Sequence, residues 1–310
     1  MRASWMLLSL VAPAIVGCAT IGPGPGADSP EAASTPAAPA LPQRDLSPAA
    51  NAQWLAAVPL PVNLPEGVTV TPVSFNSPRG VLHGYVAKPA GNGPFPTFVW
   101  NHGSEKQPGK TQGDAVFFTQ HGFVFFVPHR WGQGQSEGSY IMDEINSLPR
   151  GQRGEATVRA LAAQADDVAA AVAYVRTLPF VDKNRVVIGG CSYGGIQTVL
   201  AAERGLGLRA AVDWAGGAMS WESTPELQVR MEQAVRNAKI PVFFAQAEND
   251  YSIEPSKVLY AAMHEGHPNT SFVKIYPSTG GDHQSGHGLC VKHPEVWGDD
   301  VLNFLNWAMK

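Results

Sequence analysis

Ten consecutive residues, Val186-Val187-Ile188-Gly189-Gly190-Cys191-Ser192-Tyr193-Gly194-Gly195, restrict this chain more than any other segment. The run up to Ile188 is short and wholly apolar, as a strand buried on both faces is. Helix-compatible sequence from 192 to 203 follows with no room for a loop. The backbone must therefore pass from strand to helix within a residue or two. Side chains beside such a turn collide with the adjoining helix and strand, and glycine on both flanks removes those collisions. The residue at the apex, Ser192, is held in a strained conformation, its hydroxyl projecting near the positive end of the helix.

The rest of the chain repeats this strand-then-helix grammar. Residues 68–75 and 81–88 read as two strands joined by Asn76-Ser77-Pro78-Arg79-Gly80. Further strands are expected at 96–101, 123–127, 185–188, 210–214, 240–245 and 272–275. Helices are expected at 113–121, 192–203, 225–237, 255–264 and 296–309. Val158, Leu161, Ala165, Val168, Val172 and Val175 recur at steps of three and four, one face of a long helix that Pro179 ends. Such alternation specifies an α/β fold: about eight strands, mostly parallel, helices on both faces, and an antiparallel opening hairpin. No large cap domain fits. Only residues 132–154 and 216–226 are long enough to cover a site.

The start of the chain has a different character. Arg2 precedes a mostly apolar stretch, 5–15, too short for the ~20 residues of a membrane-spanning helix. It ends in Ile15-Val16-Gly17-Cys18, which resembles the bacterial lipobox. The resemblance implies a signal peptide at 1–17, cleavage before Cys18, lipidation of Cys18, and a lipid-anchored location in the cell envelope, on the periplasmic face or the outer membrane. Residues 18–53, rich in Ala, Pro and Gly, read as a tether, leaving 54–310 as the catalytic domain. The net charge of -4 and the lack of a Lys/Arg run argue against nucleic acid as a partner.

Gly190-Cys191-Ser192-Tyr193-Gly194 matches G-x-S-x-G. A serine nucleophile needs a base, and the base an orienting carboxylate. The strand at 240–245 runs into Glu248-Asn249-Asp250-Tyr251, which places Asp250 or its rival Glu248 on the rim where strands end. Gly280-Gly281-Asp282-His283-Gln284-Ser285-Gly286-His287-Gly288 offers two histidines, 33 and 37 residues after Asp250. A metal shared by His283 and His287 would need a helix, which the nearby glycines disfavour. No metal or cofactor is expected.

Together these motifs resemble the α/β-hydrolase superfamily, and the dienelactone hydrolases within it, over about residues 68–309. The resemblance implies Ser192 as nucleophile, Asp250 as acid and His287 as base, since Gly286-His287-Gly288-Leu289 is similar to that family's G-H-x-F/L run. It also implies an oxyanion hole from the backbone N–H groups of Ser104, after His102-Gly103, and of Tyr193. Arg130 stands in a stretch similar to R-G-x-G-x-S, a loop-ordering element. Trp131, Tyr193, Trp214 and Trp221 are either pocket walls or core. Dienelactone hydrolases use Cys at the elbow, but placing Cys191 there puts Tyr193 where the second glycine belongs. If Ser192 meets His287, Cys191 and Cys290 are neighbours. They then form a disulfide, as in some tannase-like and feruloyl esterases, or stay as two buried thiols. The expected activity is hydrolysis of a small or medium-sized ester or lactone. A prolyl-oligopeptidase-like peptidase and a non-catalytic binding protein are the other readings.

Overall fold

The computed structural model describes residues 46–310 apart from Pro48. The expected signal peptide, Cys18 and the tether up to residue 45 lie outside the described residues. After α1 (Ala52–Ala57) the chain forms the hairpin β1 (Thr69–Ser77) and β2 (Gly80–Lys88). Then come β3 (Phe95–Asn101), α2 (Gln112–Gln120), β4 (Val124–Pro128), α3 (Ile141–Ser147), α4 (Arg150–Val175), β5 (Val181–Cys191) and α5 (Tyr193–Arg204). The second half contains β6 (Ala211–Trp214), α6 (Pro225–Arg236), β7 (Val242–Ala247), α7 (Glu254–His264), β8 (Ser271–Tyr276), α8 (His283–His287), α9 (Leu289–Lys292) and α10 (Pro294–Ala308).

The eight strands form one sheet in the order β1-β2-β4-β3-β5-β6-β7-β8. The hairpin and the β2–β4 pair are antiparallel, and every later pair is parallel. Residues alternate between the two faces of a strand, so each apolar strand feeds two cores. Val186 and Ile188 join one core with α4, α5, α6 and α7, whereas Val187 joins the other with α2, α9 and α10. β4 divides likewise, Val124 and Phe126 on one side, Phe125 and Val127 on the other. Trp100, Trp214 and Trp297 fill the second core, beneath the C-terminal ends of β3 and β5. Among the described residues no helix is long and apolar enough to cross a membrane.

Three segments differ from the expectation. α1 begins at Ala52, inside the stretch read as tether, and Trp54 lies with its ring 6.1 Å from that of His83. α4 starts at Arg150, directly after Pro149, and α3 precedes it, so the presumed covering loop is largely helical. Residues 150–157 are polar or small and carry no apolar periodicity to reveal them. β5 begins at Val181, where Asp182 to Arg185 are too polar to read as strand, although Val181 pairs with Phe95.

Candidate active site

Ser192 sits between the end of β5 and the start of α5 with φ 59° and ψ -121°. A non-glycine residue there carries backbone strain of about 1–3 kcal/mol. The surroundings hold it in place: its N–H donates to the Trp214 carbonyl at 2.8 Å, and its own carbonyl accepts from Gly195 and Ile196. The flanking glycines are sterically required. A Cβ on Gly194 would stand 1.9 Å from the Asn101 carbonyl oxygen, and one on Gly190 would stand 2.5 Å from it. Cys191 has no such conformation. It ends the strand and is bonded to Cys290, S–S 1.96 Å.

Asp250 lies three residues past β7 and is buried. Its Oδ1 accepts from His287 Nδ1 at 2.8 Å and from the Tyr251 N–H at 2.6 Å; its Oδ2 accepts from Gln246 Nε2 at 2.9 Å. A carboxylate with this many donors is locked in orientation, and it fixes the His287 ring in turn. Glu248, the rival acid, is exposed and makes no contact with either histidine. His283 turns its Nδ1 to the backbone carbonyls of Asn249 and Asp250, at 3.2 and 3.1 Å.

The expectation of an irregular histidine loop is corrected by α8. Asp282 caps this helix through Oδ1, which accepts the Ser285 N–H at 2.7 Å, and Gly280 and Gly281 stand before the cap rather than inside the helix. Gly286 is inside it for a steric reason: its Cβ would lie 2.6 Å from the Asn249 backbone. Asn249 then ties the two loops together. Its Nδ2 donates to the Thr279 and Asp282 carbonyls, each at 2.9 Å, and its Oδ1 accepts the Thr279 N–H at 3.0 Å. Sequence reading passed over this residue, although an Asn beside a rim carboxylate is a loop-binding side chain. The two rings have different Nδ1 partners: His283 faces the Asn249 and Asp250 carbonyls, and His287 faces the Asp250 carboxylate.

On the other side of the cleft, β3 runs into His102-Gly103-Ser104. His102 is buried, and burial together with the nearby Arg130 guanidinium holds its imidazole well below its usual pKa, hence neutral. Arg130 Nη2 donates to the His102 and Gly103 carbonyls at 2.8 and 2.6 Å, and its guanidinium lies over the Tyr193 ring at 5.3 Å. Tyr193 opens α5, where a backbone N–H has no intrahelical acceptor. A cavity of about 600 Å³ is lined by Ser192, His287, Ser104, Trp100, Tyr140 and Met219, among others. The Cys191 and Cys290 sulfurs lie 3.8 and 3.6 Å from the His287 carbonyl oxygen, so the disulfide links the Ser192 and His287 segments. Of the four aromatic residues considered as walls, Tyr193, Trp214 and Trp221 are buried in the cores and Trp131 packs against one of them. Trp100 and Tyr140 line the cavity instead.

The model of the dienelactone hydrolase family matches residues 115–288, from α2 to the residue after α8. The chain belongs to the dienelactone hydrolase family. As a family member it is a hydrolase, and the matched region contains Ser192, Asp250 and His287. No curated protein matches it in sequence. In fold it is similar to an acylaminoacyl peptidase from Pyrococcus horikoshii, at 16% identity and TM-score 0.59. That alignment covers 78% of this chain but 42% of the peptidase, so the family member spans less than half of that protein. An esterase from Pyrococcus furiosus aligns over 82% of this chain and 99% of its own, at 15% identity and TM-score 0.55. Prolyl oligopeptidase B from Galerina marginata aligns at 18% identity and TM-score 0.55, covering 79% of this chain and 37% of the oligopeptidase.

Proposed function

We propose that this chain is a serine esterase acting on small to medium-sized carboxylic esters or lactones through an acyl-enzyme. The observation that carries the reading is the strained, glycine-flanked Ser192 sharing one cavity with His287, whose Nδ1 is held by the buried Asp250. In the first half-reaction the Ser192 Oγ attacks the ester carbonyl carbon while its proton passes to His287 Nε2. The carbonyl oxygen becomes an oxyanion that accepts from the Ser104 and Tyr193 N–H groups, each such donor being worth ~3 kcal/mol to the transition state. The C–O bond then breaks, and His287 returns the proton to the leaving alcohol. Water repeats the sequence on the acyl-enzyme, releasing the acid and restoring the Ser192 hydroxyl. Asp250 keeps the imidazole in the tautomer with Nδ1 protonated.

Engagement of Cys191 in a disulfide supports serine over cysteine as nucleophile, since the reactive species of a cysteine is a free thiolate. A disulfide beside the active site also fits export to an oxidising compartment, with Cys18 as the lipid attachment point.

The test is hydrolysis of p-nitrophenyl esters from acetate to laurate by the chain starting at Ala19. Ser192→Ala is expected to remove the activity, while a Cys191→Ala/Cys290→Ala double variant retains it. Activity that survives Ser192→Ala and disappears with the cysteines would reassign the nucleophile to Cys191. Cleavage of peptide amides in preference to every ester would reassign the substrate class.

A further inference from the structure

The backbone carbonyls of His102 to Lys106, five in succession, are all taken by donors from one segment, residues 130–140. Arg130 Nη2 takes His102 and Gly103. Gln133 Nε2 takes Glu105 at 2.8 Å, with a longer contact to Gly103 at 3.4 Å. The Gly134 N–H takes Lys106 at 2.8 Å, and the Tyr140 hydroxyl donates to the Ser104 carbonyl. In a planar trans peptide the C=O of one residue and the N–H of the next point in opposite directions. Pulling the Gly103 carbonyl toward Arg130 therefore turns the Ser104 N–H the other way. Among the described residues that N–H meets no acceptor.

Ser104 has a peptide plane on either side of its Cα, and two different side chains fix them. Arg130 holds the plane before it and is fully buried. Tyr140 holds the plane after it, lines the cavity, and is only half-buried. We propose that Tyr140 is a positioning residue for the oxyanion hole: its hydroxyl fixes the Ser104–Glu105 peptide, and through it the aim of the Ser104 N–H. Burial, with Asp143 and Glu105 nearby, raises the pKa of the phenol above its ordinary value, so the hydroxyl remains a donor at neutral and mildly alkaline pH. Tyr140 directly precedes α3, which ties the hole to the segment covering the cleft.

This inference rests on the serine-esterase reading above. Its test is Tyr140→Phe, which keeps the ring and removes only the donor. An oxyanion-hole donor acts in the transition state, so loss of its alignment lowers kcat and leaves KM in place. We expect kcat for p-nitrophenyl acetate to fall about tenfold, an amount a small misplacement of a catalytic group produces, with KM and thermal midpoint unchanged. Phenylboronic acid, which forms a tetrahedral adduct on the Ser192 oxygen, should lose affinity by the same factor. Unchanged kcat and boronate affinity overturn the inference alone. So does a raised KM at constant kcat, which would make the phenol a substrate contact. A Ser192→Ala chain that still turns over the ester at the wild-type rate overturns the proposed function, and this inference with it.

Discussion

Removing the Cys191–Cys290 bond by the double substitution Cys191→Ala/Cys290→Ala separates what holds the domain together from what aligns its site. The two cysteines are 99 residues apart in sequence. Cross-linking a loop of that length removes about 4.7 kcal/mol of chain entropy from the unfolded state at 25 °C. With a urea m-value of about 3 kcal/mol/M, the unfolding midpoint of the double variant drops by about 1.5 M. Catalysis is expected to respond far less. The base segment keeps its other restraints: the Asp282 cap, the three Asn249 hydrogen bonds to residues 279–282, and the Asp250–His287 bond. Activity without urea should therefore stay within about tenfold of wild type, one hydrogen bond's worth of alignment. The assay is urea unfolding followed by fluorescence, alongside ester hydrolysis in the absence of denaturant. A midpoint coincident with that of the oxidised wild type refutes the entropic argument. A fully folded double variant without activity refutes the claim that the Asp282 cap, the Asn249 hydrogen bonds and the Asp250–His287 bond together hold the histidine segment.

Two further substitutions probe buried carboxyls. Asp250→Asn preserves shape but puts an amide where the imidazole needs an acceptor, so kcat should fall by about 10⁴ with the circular dichroism spectrum retained; a loss of less than about tenfold would remove Asp250 from the acid's role. Asp213, in β6 beside Gly195, has its carboxyl pushed up to about 7 by burial, against the single Gly216 N–H that its Oδ1 accepts at 2.9 Å. Its folded pKa lies above the unfolded value of about 3.9, so wild-type stability falls as pH rises from about 4 to about 7, by up to about 4 kcal/mol, and is flat beyond. Asp213→Asn should cancel that contribution, so urea unfolding at pH 5 and pH 8 should show the variant gaining on wild type over the interval. A pH-independent difference would mean that this carboxyl is not neutral in the folded chain at acidic pH.

How much of this was legible in the sequence follows from which interactions are local. The strand run at 186–188 and the glycines at 190 and 194 announce the elbow because their constraint acts within a few residues, and Asn101 merely supplies the atom they must avoid. Asp250 and His287 were legible as a set because a carboxylate after β7 and a histidine after β8 lie in chain order on one rim. α8 was not. The composition around it is glycine-rich, and its formation depends on the Asp282 cap and on a close approach to Asn249 that no local periodicity encodes. The start of α4 was missed because its first two turns bury little and so bear no apolar stripe.

The oxyanion loop lies at the far end of that range. His102-Gly103 marks its position in the chain, but the direction of a peptide N–H depends on what captures the neighbouring carbonyl. Here the captors are side chains and a backbone amide 27 to 36 residues away, from Arg130, Gln133, Gly134 and Tyr140. Only Arg130 had a recognisable motif to carry it. The others are ordinary residues of a covering segment, and their role appears once the fold lays that segment against the end of β3. The same holds on the histidine side, where Asn249 joins the loops after β7 and β8 beside the contacts of His283 and His287. In both halves of the cleft the candidate residues stand in local motifs, whereas the groups that hold them in place act across the turns between strands.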